Sequence, residues 1–278
     1  MKRLISVELF KIFTKPRTYI GFVAFLIIII AMELGIGLGG DEMVGMILQN
    51  IKDRFIFEGE VINVYLISYL ILNTLWIHVP ILVALVTGDL LAGEANGGTF
   101  RILLTRPISR IQLVLAKFLS GWLYALLLII LMIILSLGIG SLIFKSGDLI
   151  VVTNKINFFA SDDLLWRFGC AYAYGLLAMT TVASLSFLLS STAENSIGPI
   201  VGTVAIIMGI TIISTVGAPV MGTVNKFLFT TYLPSWQLFF QSDLQAGAIG
   251  HAILIQIIYI FVFLGATILL FRRKDILS

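Results

Sequence analysis

Six apolar stretches, each long enough to cross a lipid bilayer, leave this 278-residue chain no stable way to fold in water. A run of more than about 18 apolar residues reads as a spanning helix, because away from water every backbone amide must be satisfied within its own segment. The runs lie at about 19–38, 61–86, 111–144, 166–189, 197–216 and 251–271. Composition agrees: 59% of residues are hydrophobic and 12% charged, with mean hydropathy +1.07. An ordinary soluble domain has roughly 45–50% apolar and about 25% charged residues. The expected fold is therefore an all-α integral membrane bundle of six crossings, forming one transmembrane domain over residues 1–278.

The segments between the runs refine this expectation. Residues 1–15 place Ile5, Leu9, Ile12 and Phe13 on one helical face and Arg3, Lys11 and Lys15 largely on another, an amphipathic helix suited to lie flat at the membrane surface. The run after it is too long for a signal peptide and no small-residue cleavage site follows, so it is expected to be retained. Pro16 suits the first turn of the next helix. Pro80 is expected to kink the second crossing, since its ring removes a backbone donor. Ser109 and Gln112 have capping-box spacing and mark the start of the third crossing. That crossing is longer than a bilayer needs, so its first turns project into water. Residues 39–60 read as an acidic loop and 145–165 as a polar loop. The stretch 217–250, broken by Pro219 and Pro234, reads as one that dips into the membrane without crossing.

Lysine and arginine accumulate on the cytoplasmic side of membrane proteins. With six crossings, one side holds Lys2, Arg3, Lys11, Lys15, Arg17, Arg101, Arg106, Arg110, Lys117, Arg272, Arg273 and Lys274. The other holds Lys52, Arg54, Lys145, Lys155, Arg167 and Lys226. The bias places both termini in the cytoplasm and the chain in the cell membrane. A single cysteine, Cys170, leaves no disulfide framework and no CxxC metal site within the chain. The charge of +3 reflects this sidedness, and no basic aromatic patch points to nucleic acid.

The informative stretch is the connection at 87–110. Gly97 and Gly98 end one helix, Thr99 stands as the N-cap of a short helix through Leu104, and Pro107 stops that helix before Ser109 starts the next. A short helix offering Phe100, Leu103 and Leu104 at the membrane surface suits docking into a groove on a soluble partner. An ordinary connecting loop is the plainer reading, but cap, breaker and capping signals are packed here more densely than a simple connection needs.

In these residues the sequence resembles the permease subunits of type-2, exporter-like ABC transporters. The resemblance rests on Asp89, Glu94, Gly98-Thr99, Pro107, Ser109-Arg110 and Lys117, in that family's order. It extends more loosely to the amphipathic N-terminal helix, the number of crossings, the broken segment before the last one and the basic end after Phe271. It departs at Ala95-Asn96, where members of the family often carry further charge. The resemblance implies that the helix beginning near Thr99, with Phe100, Arg101, Leu103 and Leu104, presses against an ATPase, and that Glu94 and Arg110 fix the helix ends around it. It further implies two ATPase subunits on the cytoplasmic side, with ATP and Mg held there, and a second permease, either a copy or a homologue. Export by alternating access is the activity expected on this reading. The chain itself has no Gly-x-x-x-x-Gly-Lys-Ser/Thr loop, so its energy is expected from a partner, and neither a cofactor nor enzymatic activity is expected of it.

Polar residues inside the spans are pathway candidates, since unpaired groups there are costly. They are Ser68, Asn73, Thr74 and His78 in the second crossing and Thr203 and Thr211 in the fifth. Bonding within their own helices is the plainer reading for the hydroxyls. Two other classes of function remain open: a scaffold or assembly subunit that moves no solute, and an intramembrane enzyme. The enzyme needs a convergent nucleophile and base, for which only His78 and His251 are available as histidines.

Overall fold

A computed structural model describes residues 1–52, 62–99, 108–152, 156–217 and 222–273, with backbone alone at 40–52 and 152. The chain is an all-α membrane protein, and six of its helical stretches are long and apolar enough to span a bilayer. Helix α1 (Lys2–Phe13) precedes α2 (Pro16–Lys52), which Pro16 opens. The glycine-rich end of the first crossing does not stop α2. Only Gly39 leaves helical geometry (φ −134°, ψ 18°), so the helix kinks there and continues through part of the expected acidic loop.

The second apolar run is two helices, α3 (Val64–Leu75) and α4 (Val79–Thr87), followed directly by α5 (Asp89–Asn96). The break expected at Pro80 falls one turn earlier. The ring takes away the bond Pro80 would make to Trp76 and crowds that carbonyl, so the helix stops before Trp76 and restarts with proline in its first turn. Asn63 caps α3 by accepting from the amides of Tyr65 and Leu66.

The third crossing comprises α6 (Arg110–Ile133), a π-helical segment (Ile134–Ile139) and α7 (Gly140–Ile143). Its 34 residues extend roughly 51 Å at 1.5 Å per residue, beyond the ~30 Å hydrocarbon core. The loop expected at 145–165 instead holds an antiparallel hairpin, β1 (Leu149–Val152) with β2 (Ile156–Phe159), in which Leu149 pairs with Phe159.

Helices α8 (Leu164–Thr192), α9 (Ile197–Val216) and α11 (Ala246–Arg273) supply the remaining crossings. Between α9 and α11 lie short helical pieces, including α10 (Phe229–Tyr232) and a 3-10 stretch (Leu233–Phe240), so this stretch does not cross as a continuous helix. Helix α8 is the hub, packed against α4, α5, α6, α9, α11 and the 233–240 stretch. Ala171, Ala178, Ala183, Ser184 and Ser186 on it are buried, and small residues let helices approach closely where lipid offers no hydrophobic drive for association. Helix α9, by contrast, buries only 11% of its spanning window and presents Ile197, Val201, Met208 and Ile212 outward.

At the end of the bundle away from α1, Arg167 fastens the hairpin to the 233–240 stretch. It bonds Asp163 at 2.6 Å and the carbonyls of Phe239 and Gln241 at 2.7 and 3.3 Å, and its guanidinium lies 4.5 Å from the Phe159 ring centre. Trp236 is buried against Tyr69, Trp76 and Phe240.

Candidate functional site

The turn between α1 and α2 places Lys11, Lys15 and Arg17 beside the junction of α4, α5 and α6. Lys117, about two turns into α6, donates to Glu8 at 2.7 Å and to Glu94 at 2.9 Å. Lys11 reaches the same two carboxylates, Glu94 at 2.7 Å and Glu8 at 3.2 Å. Asp89, the first residue of α5, accepts from Lys15 at 2.6 Å, pairs with Arg17 through the same oxygen, and takes the Ser196 hydroxyl on the other. Glu8 and Lys117 are each 1% exposed. Four cations therefore share three carboxylates, around a cavity of about 20 Å³ that has room for one water.

Electrostatics separate the two exposed-side lysines. Burial disfavours the Lys11 ammonium, but its bond to Glu94 and the charges of Glu8 and Glu94 outweigh this and hold its pKa above the ordinary lysine value. Burial lowers the pKa of Lys15, and Arg17 beside it lowers it further despite the short contact with Asp89. Lys11 regains from Glu94 and Glu8 more than burial takes away, whereas the charges of Arg17 and Lys11 add to the burial of Lys15.

The path out of this cluster is set by two caps. Helix α5 begins just after Gly88, and the amides of Leu91 and Ala92 donate to the Ser190 hydroxyl of α8 at 3.1 and 2.9 Å. Its other end closes in a Schellman motif. Gly98 adopts φ +63°, its amide bonds the Ala95 carbonyl at 3.1 Å, and the Thr99 amide bonds that of Glu94 at 3.1 Å. The Thr99 hydroxyl turns back onto the Glu94 side chain. Thr99 thus closes the preceding helix, while Phe100, Arg101, Leu103, Leu104 and Pro107 lie outside the described residues. Beyond them, Ser109 and Gln112 form a reciprocal capping box, and Arg110 donates to the carbonyls of Phe271 and Arg272 at 3.3 and 3.0 Å at the end of α11.

The candidate pathway residues are not gathered in one place. Ser68 donates to the Ser136 carbonyl at 2.9 Å, and Asn73 accepts from Gln237 at 2.9 Å. Thr74 is exposed and its carbonyl meets His78 Nδ1 at 3.0 Å. Thr203 and Thr211 bond carbonyls within α9, at 2.6 and 2.7 Å. Of the six, only Thr211 lines the cleft of about 440 Å³ between α4, α9 and the 230–234 stretch, whose walls are otherwise Trp76, Ile77, Pro80, Met208, Leu233 and similar groups.

Sequence reasoning missed Glu8, Ser190 and Ser196 and assigned Lys11 and Lys15 to a water-facing side. Instead Glu8, Lys11 and Ile12 face the bundle while Val7 and Phe10 face outward. One signal was present: Glu8 is the single acidic residue of α1, three residues before Lys11, on a helix otherwise basic and apolar.

These features define a multi-pass α-helical membrane protein with a buried ionic cluster at one end of its bundle. The chain belongs to the DUF2705 family of proteins of unknown function, whose profile matches residues 43–277. It is also similar to the uncharacterized protein YhcI of Bacillus subtilis (strain 168), with 27% identity over 116 residues. That match covers 40% of this chain and 37% of the relative.

Proposed function

We propose that this chain is the permease subunit of an ATP-driven exporter, energised by two separate ATPase subunits that dock on the segment between Glu94 and Arg110. The observation that carries the reading is the ionic cluster. It joins α1, α5 and α6 through Glu8, Lys11, Glu94 and Lys117, and Asp89 extends it to Ser196 at the start of α9. The segment after Gly98 leaves from this base and returns at Ser109, where Arg110 holds the end of α11. A push on the segment would therefore reach several crossings at once, as coupling of hydrolysis to a change of access requires.

On this reading both termini are cytoplasmic and the membrane is the cell membrane, in keeping with the bias of lysine and arginine. The outward apolar side chains of α9 suit lipid or a second permease. The cleft beside α4 and α9 suits an apolar cargo.

Purification of the tagged chain in mild detergent from its native host tests the reading. A Walker-type ATPase is expected to accompany the intact chain and to be lost when residues 99–104 are replaced by a neutral linker. A replaced chain that still binds the ATPase and stimulates it normally would overturn the assignment. An ATPase that no candidate cargo stimulates would favour a scaffold instead.

A further inference from the structure

Glu33 lies 17 residues into α2, roughly 26 Å from its start, within the first crossing. It is 0% exposed, and neither carboxylate oxygen has a hydrogen-bond partner among the described residues. The surface facing it is glycine: a Cβ added at Gly140 would stand 3.1 Å from Glu33 Oε1 and 3.2 Å from Val64 Cγ2. Gly140 opens α7, directly after the π-helical segment Ile134–Ile139 of the third crossing. Such π turns cost stability and are frequent at functional sites.

The charged and ionisable groups on the elements packed against α2 leave Glu33 without a counter-ion among the described residues. They are Lys2, Arg3, Glu8 and Lys11 on α1, Tyr65 and Tyr69 on α3, and Arg110, Lys117 and Tyr124 on α6. Neither α4, the π segment nor α7 carries one, and Lys145, which follows α7, is exposed. Lys117, Lys11 and Glu8 are committed to one another and to Glu94 in the cluster at the start of α6. A bare carboxylate at membrane depth is costly. A metal ion would need several oxygen or nitrogen ligands, and among the described residues no group of three His, Cys, Asp or Glu side chains forms one.

We propose that Glu33 is a proton-binding site of the membrane domain. A hydronium ion of the surrounding water gives up one O–H bond and leaves as water while an O–H bond forms on the carboxylate, and the neutral acid is the species that fits against Gly140. Release of the proton requires α2 to move away from α7, so proton exchange is tied to the packing of the first crossing on the third. The proposal does not depend on the transport reading.

Infrared spectroscopy of the full chain in lipid nanodiscs, wild type minus E33Q, reads the site directly. A protonated-carboxyl stretch is expected at neutral pH in the wild type and not in E33Q, which keeps the shape of the neutral acid. Carboxylate bands at neutral pH in that difference would overturn the proposal.

Unfolding equilibria give a second reading. If the folded chain holds a proton that the unfolded chain releases, the wild-type unfolding constant rises about tenfold per pH unit relative to E33Q above the ordinary glutamate range near ~4. A ratio that does not change with pH would overturn the proposal. Should E33Q fail to fold, a pH titration of the wild-type infrared carboxyl band decides alone, and a band absent at neutral pH would refute the assignment.

Discussion

Lys117 of the third crossing and Glu8 of the N-terminal helix lie 2.7 Å apart, 109 residues apart in sequence and each only 1% exposed. A buried pair of this kind adds little net stability over an apolar pair of the same shape, because desolvation offsets most of the attraction. Removing Lys117 is another matter, since it leaves the buried carboxylates of Glu8 and Glu94 to share Lys11 alone. Lys117→Met should therefore destabilise the chain by about 3–5 kcal/mol in thermal or denaturant unfolding in detergent. The double variant Glu8→Gln/Lys117→Met should recover part of that loss. If the single variant matches wild type, the pair does not exist as described.

A second prediction concerns Gly98. At φ +63° a side chain is strained, and the two amide bonds closing α5 depend on that conformation. Gly98→Ala should cost about 1 kcal/mol, and Gly98→Asn less, because asparagine tolerates the left-handed region better. Equal costs for the two would show that the strain lies elsewhere.

How much of this arrangement could be read in advance follows the range of the interactions. The fifth crossing at 197–216, the first-turn role of Pro16, the Ser109–Gln112 box and the helix stop at Gly97-Gly98 were legible, because each depends on residues within one or two turns. The hairpin at 149–159 was hidden, since Leu149–Val152 and Ile156–Phe159 are four-residue stretches inside a polar segment. The ionic cluster was legible only in part. Asp89, Glu94 and Lys117 stood out through the resemblance, but their partners Glu8, Lys11 and Lys15 lie more than 70 residues away and are chosen by packing alone. For the same reason nothing in the sequence around Glu33 signalled that α7 would cover it.

At high pH the cluster should weaken in an identifiable way. Lys11 has its pKa raised in the folded chain, so its contribution to stability is fully present below the unfolded lysine value of 10.5 and is lost as pH rises through the folded value. In alkaline titrations followed by unfolding, wild type should lose stability relative to Lys11→Met across that window. Parallel curves for the two would show that the ion pairs with Glu94 and Glu8 contribute nothing.

The opposite end of the bundle offers a test in which charge is secondary to hydrogen bonding. Arg167 satisfies the carbonyls of Phe239 and Gln241 and stacks on Phe159, so its removal would leave a buried carbonyl without its donor and loosen the hairpin, which would then be held through the Phe159–Phe240 ring contact and the Asn157–Ser242 bonds. Each such loss costs about 1–3 kcal/mol. Arg167→Met should lower the unfolding midpoint and raise hydrogen exchange at Leu149–Val152 while leaving α1 and α5 unaffected. Arg167→Lys should rescue little, because an ammonium cannot span two carbonyls and lie flat on the phenyl ring at once. Full rescue by lysine would show that the positive charge, not the planar fork, holds this end together.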